Sequence, residues 1–340
     1  MISRPGISSP RIGKAMSRRE FVASVVSAAA LWPLAAPAQQ RAKPLIGFLN
    51  SASARFYASM MAAFQDGLNE IGFDSGKVAV EYHWAEGNHH LLPWFAATLV
   101  NHKVAAIISA DGSAALAAKN ATTTIPIIFS SRADPIQLGL VTTLQQPSAN
   151  ITGVVSVSDG FVARQIKLIH EVAPGAALIA ALVNPSNPNN AKEVSEAREA
   201  QAPLGIRIAI LQASTSRDIE TAFAKAVELK VGALVIGADP YFDSQLEKLA
   251  VLATRSDIPT IHALREFVTS GGLMSYGADL ADSHHLAGVY TGRILKGEKP
   301  ADLPVQRSTK IALAVNLKTA KTFGLSVPQS LLTRADKVVE

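Results

Sequence analysis

The sequence predicts an α/β protein built from two doubly wound lobes joined by crossover strands, and three observations carry that expectation. From Pro44 onward, short apolar runs alternate with longer helical stretches, the signature of βαβ units and largely parallel sheets. The alternation restarts near Phe161, so the chain reads as two successive α/β halves. The halves also share local patterns. Ile125-Pro126-Ile127-Ile128 is matched by Ile258-Pro259-Thr260-Ile261, each with proline at a strand start, where a missing N–H costs least. Ala133-Asp134-Pro135 is matched in the same way by Ala238-Asp239-Pro240.

In the first half, Leu45 to Leu49 reads as a buried strand ending in the polar loop Asn50-Ser51-Ala52-Ser53. Met60, Phe64, Leu68 and Ile71 then recur at helical spacing, and Gly72 closes that helix. Val78–His83, Val104–Ile108, Pro126–Phe129 and Ile151–Val157 are expected strands; Pro93–His102 and Ser113–Asn120 are expected helices. In the second half the expected helices are Phe161–Val172, Ala191–Leu204, Asp218–Leu229 and Gln245–Arg255. They alternate with strands Ala177–Val183, Ile206–Leu211, Ala233–Ile236 and Pro259–His262. A last helix, Asp279–Leu295, and strand, Lys310–Val315, suggest a tail that feeds back into both sheets.

Composition excludes several function classes. The 340 residues contain no cysteine, which removes disulfides, thiol catalysis and Cys-ligated metal. The formal charge of +5 is concentrated in the leader, where Arg4, Arg11, Lys14, Arg18 and Arg19 face Glu20 alone. That is a net of +4, leaving about +1 for the body, which lacks the basic stripe a nucleic-acid partner would need. The leader itself has the plan of an export signal: the Arg18-Arg19 pair, an uncharged run from Phe21 to Leu34, then Ala36-Pro37-Ala38. A twin-arginine signal peptide over 1–38, cleaved near Ala38, is expected, with the mature protein in the periplasm.

In open α/β sheets ligands bind outside the carboxyl ends of the strands, so two facing lobes would share one cleft. The loops at those ends supply Ser51 and Ser53, then Asp111, Gly112 and Ser113, then Ser130, Ser131, Arg132 and Asp134 from the first half, and Asn184, Ser186, Asn187, Asp239, Tyr241, Phe242 and His262 from the second. Hydroxyls, amides and small residues suit hydrogen-bonded recognition better than acid–base chemistry. Gly112-Ser113 opens a helix, where amide groups and the helix dipole favour a carboxylate; Ser113 capping its own helix is the alternative. Asp134 and Asp239, each followed by proline, read either as helix caps or as carboxylates for a ligand ammonium. Tyr241 and Phe242 adjoin Asp239 and could cover an apolar portion, and Tyr276 lies in a glycine-rich crossover that could hinge or simply pack. No H-E-x-x-H, G-x-S-x-G, G-x-G-x-x-G or complete P-loop occurs, so no catalytic residue, metal or cofactor is expected. His89-His90 and His284-His285 are expected at the surface, and Arg265-Glu266 as a solvated or interlobe ion pair.

Several longer stretches carry a family resemblance: the leader SRREFVASVVSAAALWPLAAPAQQ, ALAAKNATTTIPIIF, LVNPSNPN, GALVIGADPYF, REFVTSGGLMSYGADL and NLKTAKTFGLSVPQSLLTRADKVVE. Together they resemble ABC-transporter substrate-binding proteins related to the tryptophan/phenylalanine-binding group. The resemblance covers nearly the whole chain and implies the type I periplasmic binding protein fold: two Rossmann-like lobes, three crossovers and a ligand cleft. Family cleft positions fall on Ser51, Ser53, Gly112-Ser113, Asp134, Asn187 and Asp239. This chain departs from the pattern at Leu264, where relatives often have an aromatic residue, and at His262, where they often have tyrosine.

The expected domains are therefore 44–153 plus 277–304 for the N-terminal lobe and 154–276 plus 305–340 for the C-terminal lobe. The expected function is the solute-binding component of an ABC importer, a monomer that captures a small polar or amphipathic solute such as an amino acid and presents it to permease subunits. A periplasmic enzyme and a ligand-sensing receptor module for a signalling partner are the alternatives.

Overall fold

The computed structural model describes residues 43–147, 150–156 and 160–340. The expected signal segment, and Val157 at the end of the expected fifth strand, lie outside the described residues.

The first half builds strands β1 (Leu45–Asn50), β2 (Ala79–Trp84), β3 (Ala106–Ser109), β4 (Ile127–Ser131) and β5 (Ile151–Ser156). The second half builds β6 (Leu178–Val183), β7 (Arg207–Gln212), β8 (Ala233–Ile236), β9 (Thr260–His262) and β10 (Met274–Ala278). The tail adds β11 (Gln306–Ser308), β12 (Ile311–Asn316) and β13 (Lys337–Val339). One sheet runs β11-β5-β4-β3-β1-β2 and the other β13-β12-β10-β9-β8-β6-β7. The order 2-1-3-4-5 thus recurs as 7-6-8-9-10, and every pairing is parallel except that of β10 with β12. The kinship of the halves extends to their prolines. The Pro126 carbonyl accepts the amide of Ile107, and the Pro259 carbonyl accepts that of Leu234, so each proline extends a ladder from the one position needing no donor.

Three connections pass between the sheets: β5 to the Phe161–Val172 helix, β10 to the Leu280–Leu295 helix, and β11 to β12. Val154–Ser156 and Gln306–Ser308 pair inside the first sheet, and Gly277–Ala278 inside the second. The crossovers therefore follow Ser156, Ala278 and Ser308, a few residues beyond the positions read from sequence. A buried parallel strand has the same apolar character on both sides of a lobe boundary, so periodicity does not mark the boundary.

The Ala58–Glu70 helix buries Met60, Phe64 and Leu68 on the spacing expected, each such side chain contributing about 1.5–3 kcal/mol. Its partner is the Leu280–Leu295 helix, which returns from the second lobe. The two backbones meet at Gly67 and Gly288. A Cβ at Gly67 would lie 2.1 Å from the His285 carbonyl oxygen, and one at Gly288 would lie 2.2 Å from that of Phe64. One apolar cluster continues from the first lobe (Phe48, Tyr57, Phe64) into the second (Phe223, Phe242, Phe267), so the lobes meet through a dry contact. Among the described residues, no helix is long and apolar enough to cross a membrane.

Candidate functional site

The loops after the strands do face one another across the lobes, but the side chains divide into those that border the cleft and those that build it. On the first lobe, Asp111 caps the Gly112–Ala121 helix by accepting the amide of Ala114 at 3.0 Å, and its other oxygen takes the amide of Ser51 at 2.8 Å. The cap is thus Asp111 rather than Ser113, and both Gly112 and Ser113 border the cleft. Ser51 is fully buried behind Asp111, and Ser53 caps the short Ala54–Phe56 turn, accepting the Arg55 amide at 3.5 Å. Neither serine borders the cleft cavities. Asp134 is exposed and caps its own turn, accepting the amides of Ile136 and Gln137 at 2.8 and 3.3 Å. Asp134 therefore serves as a cap, and it does not border these cavities.

On the second lobe, Asp239 is 1% exposed and accepts four donors. One oxygen takes the amides of Tyr241 (2.9 Å) and Phe242 (3.3 Å) and the Asn184 side chain (3.0 Å); the other takes the Asn187 side chain at 2.7 Å. With those donors in place, Asp239 acts as cap and anchor, fixing Asn187 at the cleft, and it borders the inner compartment itself. Tyr241 is half-buried and packs against Gly87 of the opposite lobe. Gly87 has φ +81°, and a Cβ there would lie 2.7 Å from the tyrosine ring, so both its backbone and the lobe contact require glycine. Tyr276 belongs to β10 and packs within its own lobe, its ring edge-on to Phe161 and its hydroxyl accepting from Arg164 at 3.3 Å. It does not border these cavities.

The cleft has three parts. An inner compartment of about 40 Å³ is bordered by Asp111, Gly112, Ser113 and Arg132 of the first lobe and by Asn187 and Asp239 of the second. A second, of about 30 Å³, shares Arg132, Asn189 and Ala238 with the first and adds Phe161, Val162, Gln165 and Glu193. The mouth is a groove of about 800 Å³ joined to the first compartment through His89 and Ser113. Leu92, Pro93 and Leu116 of one lobe face Tyr241, Ser214 and Thr215 of the other there. His89 and His90 line this groove, a role their sequence position did not reveal. Of the other doublet, His285 is partly exposed and pairs with Glu70 at 3.0 Å. His284 is buried, with Nδ1 donating to the Leu280 carbonyl at 2.7 Å, so the surface expectation fails for it. One helical step, about 100°, separates adjacent side chains, and for His284 that step points into the lobe.

Arg132 and His262, which the sequence placed on the cleft loops, lie between the lobes together with Asp243, Glu193 and Glu196, which sequence reasoning missed. Arg132 borders both inner compartments and donates to Asp243 of the opposite lobe at 2.5 Å. Asp243 is fully buried; burial pushes its carboxyl above the ordinary range, the Arg132 charge pulls it back, and the pair stays ionised at neutral pH. His262 is buried too, and burial with the Arg132 charge lowers it to about 3, so the ring is neutral. Glu193 accepts the Ala238 amide at 2.9 Å through one oxygen, while burial raises its carboxyl to about 7. Glu196 caps the Phe161–Val172 helix from outside, accepting the amides of Gly160 (2.9 Å) and Val162 (3.2 Å). Arg265 and Glu266 are 3.6 Å apart, and Glu266 also accepts the Ser59 hydroxyl of the opposite lobe at 2.9 Å. No group of three or more His, Asp or Glu side chains suited to a metal occurs among the described residues.

Known proteins share this architecture. The chain is 25% identical over 263 residues to a tyrosine-binding protein of Clostridioides difficile, covering 77% of this chain and 75% of that one. It is 26% identical, with a TM-score of 0.80, to an ABC domain from Streptococcus pneumoniae solved in complex with L-Trp, covering 88% of this chain and all of that one. A ligand-free, open substrate-binding protein with adhesive properties from Clostridium difficile shares the fold at 24% identity and a TM-score of 0.63, covering 87% and 99%. Two parallel α/β lobes with three crossovers make this the type I periplasmic binding protein fold. The family model described as ABC transporter substrate binding protein matches residues 54–339, and the chain belongs to that family.

Proposed function

We propose that this chain is the exported solute-binding component of an ABC importer and that it captures an amino acid, or a related carboxylate with an apolar side chain, between its lobes. The observation that carries this reading is the adjacency of a polar inner compartment to a roomy, partly apolar groove. The carboxylate would meet the first-turn amides of the Gly112–Ala121 helix, the Ser113 hydroxyl and the Arg132 charge. Asn187, held by Asp239, would supply polar contacts from the other lobe. The side chain would extend into the groove against Tyr241, Leu92, Pro93 and Leu116. The names of the relatives, one tyrosine-binding and one in complex with L-Trp, support an aromatic side chain.

A solute that touches both lobes binds the closed form better than the open one, and a 100-fold difference in affinity corresponds to about 2.7 kcal/mol of closure bias. Closure changes the surface offered to a permease. The leader supports a periplasmic location for the mature protein. The test is calorimetric titration of the 39–340 segment with L-tyrosine, L-tryptophan, L-phenylalanine and a panel of other amino acids. Each solute is recovered afterwards for mass spectrometry. Saturable binding with unaltered solute is expected; no binding across the panel, or a changed mass, would overturn the proposal.

A further inference from the structure

Asp243 does not border the cleft cavities, yet it holds the guanidinium that borders both inner compartments. Its second oxygen lies 3.6 Å from Nε2 of His262. Nδ1 of that histidine accepts the Leu264 amide at 2.9 Å, so in the neutral ring the proton resides on Nε2, facing Asp243. At that distance the two atoms are in contact but not hydrogen-bonded, and neither has a hydrogen-bond partner. Asp243 and His262 are both fully buried. Two polar contacts between the lobes lie nearer solvent: Arg55 and Glu247 pair at 2.6 Å but are half-exposed or more, and Ser59 reaches Glu266 through a single hydroxyl.

We infer that Arg132, Asp243 and His262 form a buried interlobe clasp, in which Asp243 is a positioning residue that sets the Arg132 guanidinium at the chamber wall and prolongs the closed form. The two charges come from different lobes, so neither lobe needs the pair in order to fold. They are brought out of water together only when the lobes meet. Removing one partner leaves the other charge buried without its counter-ion, a much larger penalty than the intact pair carries. The clasp requires that penalty to fall on the closed form, each group gaining water as the lobes part. The neutral His262 ring packs against the Asp243 carboxylate, with its Nε2 3.6 Å from the free oxygen, and adds no third charge to the site. The inference deepens the proposed solute-binding role and rests on it for its purpose, although the clasp can be measured without any solute.

The chain has no cysteine, so Ala97→Cys and Ala224→Cys place two spin labels on exposed positions of the helices flanking the groove. Double electron–electron resonance then reads the ratio of closed to open molecules with no amino acid added. Asp243→Asn, which keeps the shape and removes the charge, should lower that ratio at least tenfold. Arg132→Lys, which keeps the charge but not the fork, should lower it as well. Asp243→Asn added to Arg132→Met should cause no further loss, because the partners act as a unit. With L-tyrosine and L-tryptophan as probes, Asp243→Asn should accelerate dissociation about tenfold while association changes less than about threefold. Unchanged distances in Asp243→Asn and Arg132→Lys variants that melt normally, or additive losses in the double variant, would overturn the clasp. Failure of every amino acid to bind would count against the proposed solute class and leave the distance measurement to judge the clasp by itself.

Discussion

Replacing Glu193 by glutamine should stabilise the protein at pH 8 and leave it unchanged near pH 4. In the fold, Glu193 is buried, its carboxyl is raised from 4.5 to about 7, and burial is the leading cause. The Ala238 amide and the Arg132 charge pull the other way, and Asp239 and Glu196 add to the rise. In the unfolded chain the same carboxyl ionises near its ordinary value. Between the two values the native state therefore binds more protons than the unfolded state, and stability falls as pH climbs from about 4.5 to about 7, then levels. At 1.36 kcal/mol per pH unit, the interval corresponds to about 3 kcal/mol. Glutamine keeps an oxygen for the Ala238 amide, a bond of 2.9 Å in the native protein, and has no proton to lose. Glu193→Gln should thus recover up to about 3 kcal/mol at pH 8, which at about 2 °C per kcal/mol raises the melting temperature by about 6 °C. Thermal melts of both proteins at pH 4, 6 and 8 check this. A constant difference across the series, or a glutamine variant less stable at pH 8, would refute the reasoning by showing that the native carboxylate is compensated.

Asp239→Ala should cost about 3 kcal/mol, because a helix cap is lost and the Asn184 and Asn187 side chains lose their acceptor; urea unfolding measures it, and solute affinity should fall through the released Asn187. Ser113→Ala should leave stability within about 0.5 kcal/mol, since Asp111 and not Ser113 caps the helix, while weakening carboxylate binding in calorimetry. Gly87→Ala should strain a backbone at φ +81° by about 1 kcal/mol and push Tyr241 away; adding Tyr241→Ala should restore lobe closure but not the backbone cost, as small-angle scattering and melting curves would show.

The sequence was most legible where one physical rule decides the outcome. Buried parallel strands need continuous apolar runs, so β1, β3, β6 and β8 stand out, and proline before β4 and β9 repeats because a strand start tolerates it. The lobe boundaries were less visible, because the segment from Met274 to Ala278 reads as a glycine-rich hinge and is a central strand. In the cleft, sequence located the loops but not the allegiance of their side chains. Asp111, Asp134 and Asp239 are alike as acids at helix starts; only the fold distinguishes a cap facing solvent from caps that tie separate loops together. Asp243 carried no signal at all. It ends a four-residue helix too short for periodicity, and its partner is 111 positions away in the chain.

The division of labour among these acids bears on selectivity. Asp111, Asp239 and Glu196 spend their charge on backbone amides and amide side chains, and Asp243 spends its charge on Arg132. Arg132 therefore enters the chamber wall with its charge largely offset, and the helix start at Gly112-Ser113 already faces the Asp111 carboxylate. Such a wall offers little to a solute with net negative charge, because each added anion would meet the fixed carboxylates behind the first layer. It suits a solute that carries its own compensating charge and gains the rest of its affinity from area in the groove. A zwitterionic amino acid with an apolar side chain meets both conditions, and a dicarboxylate of the same size lacks the compensating charge. Titration with L-tyrosine against a dicarboxylate of similar size should accordingly favour the amino acid by at least 100-fold, or about 2.7 kcal/mol. Comparable affinities would mean that the buried acids do not set the potential of the chamber.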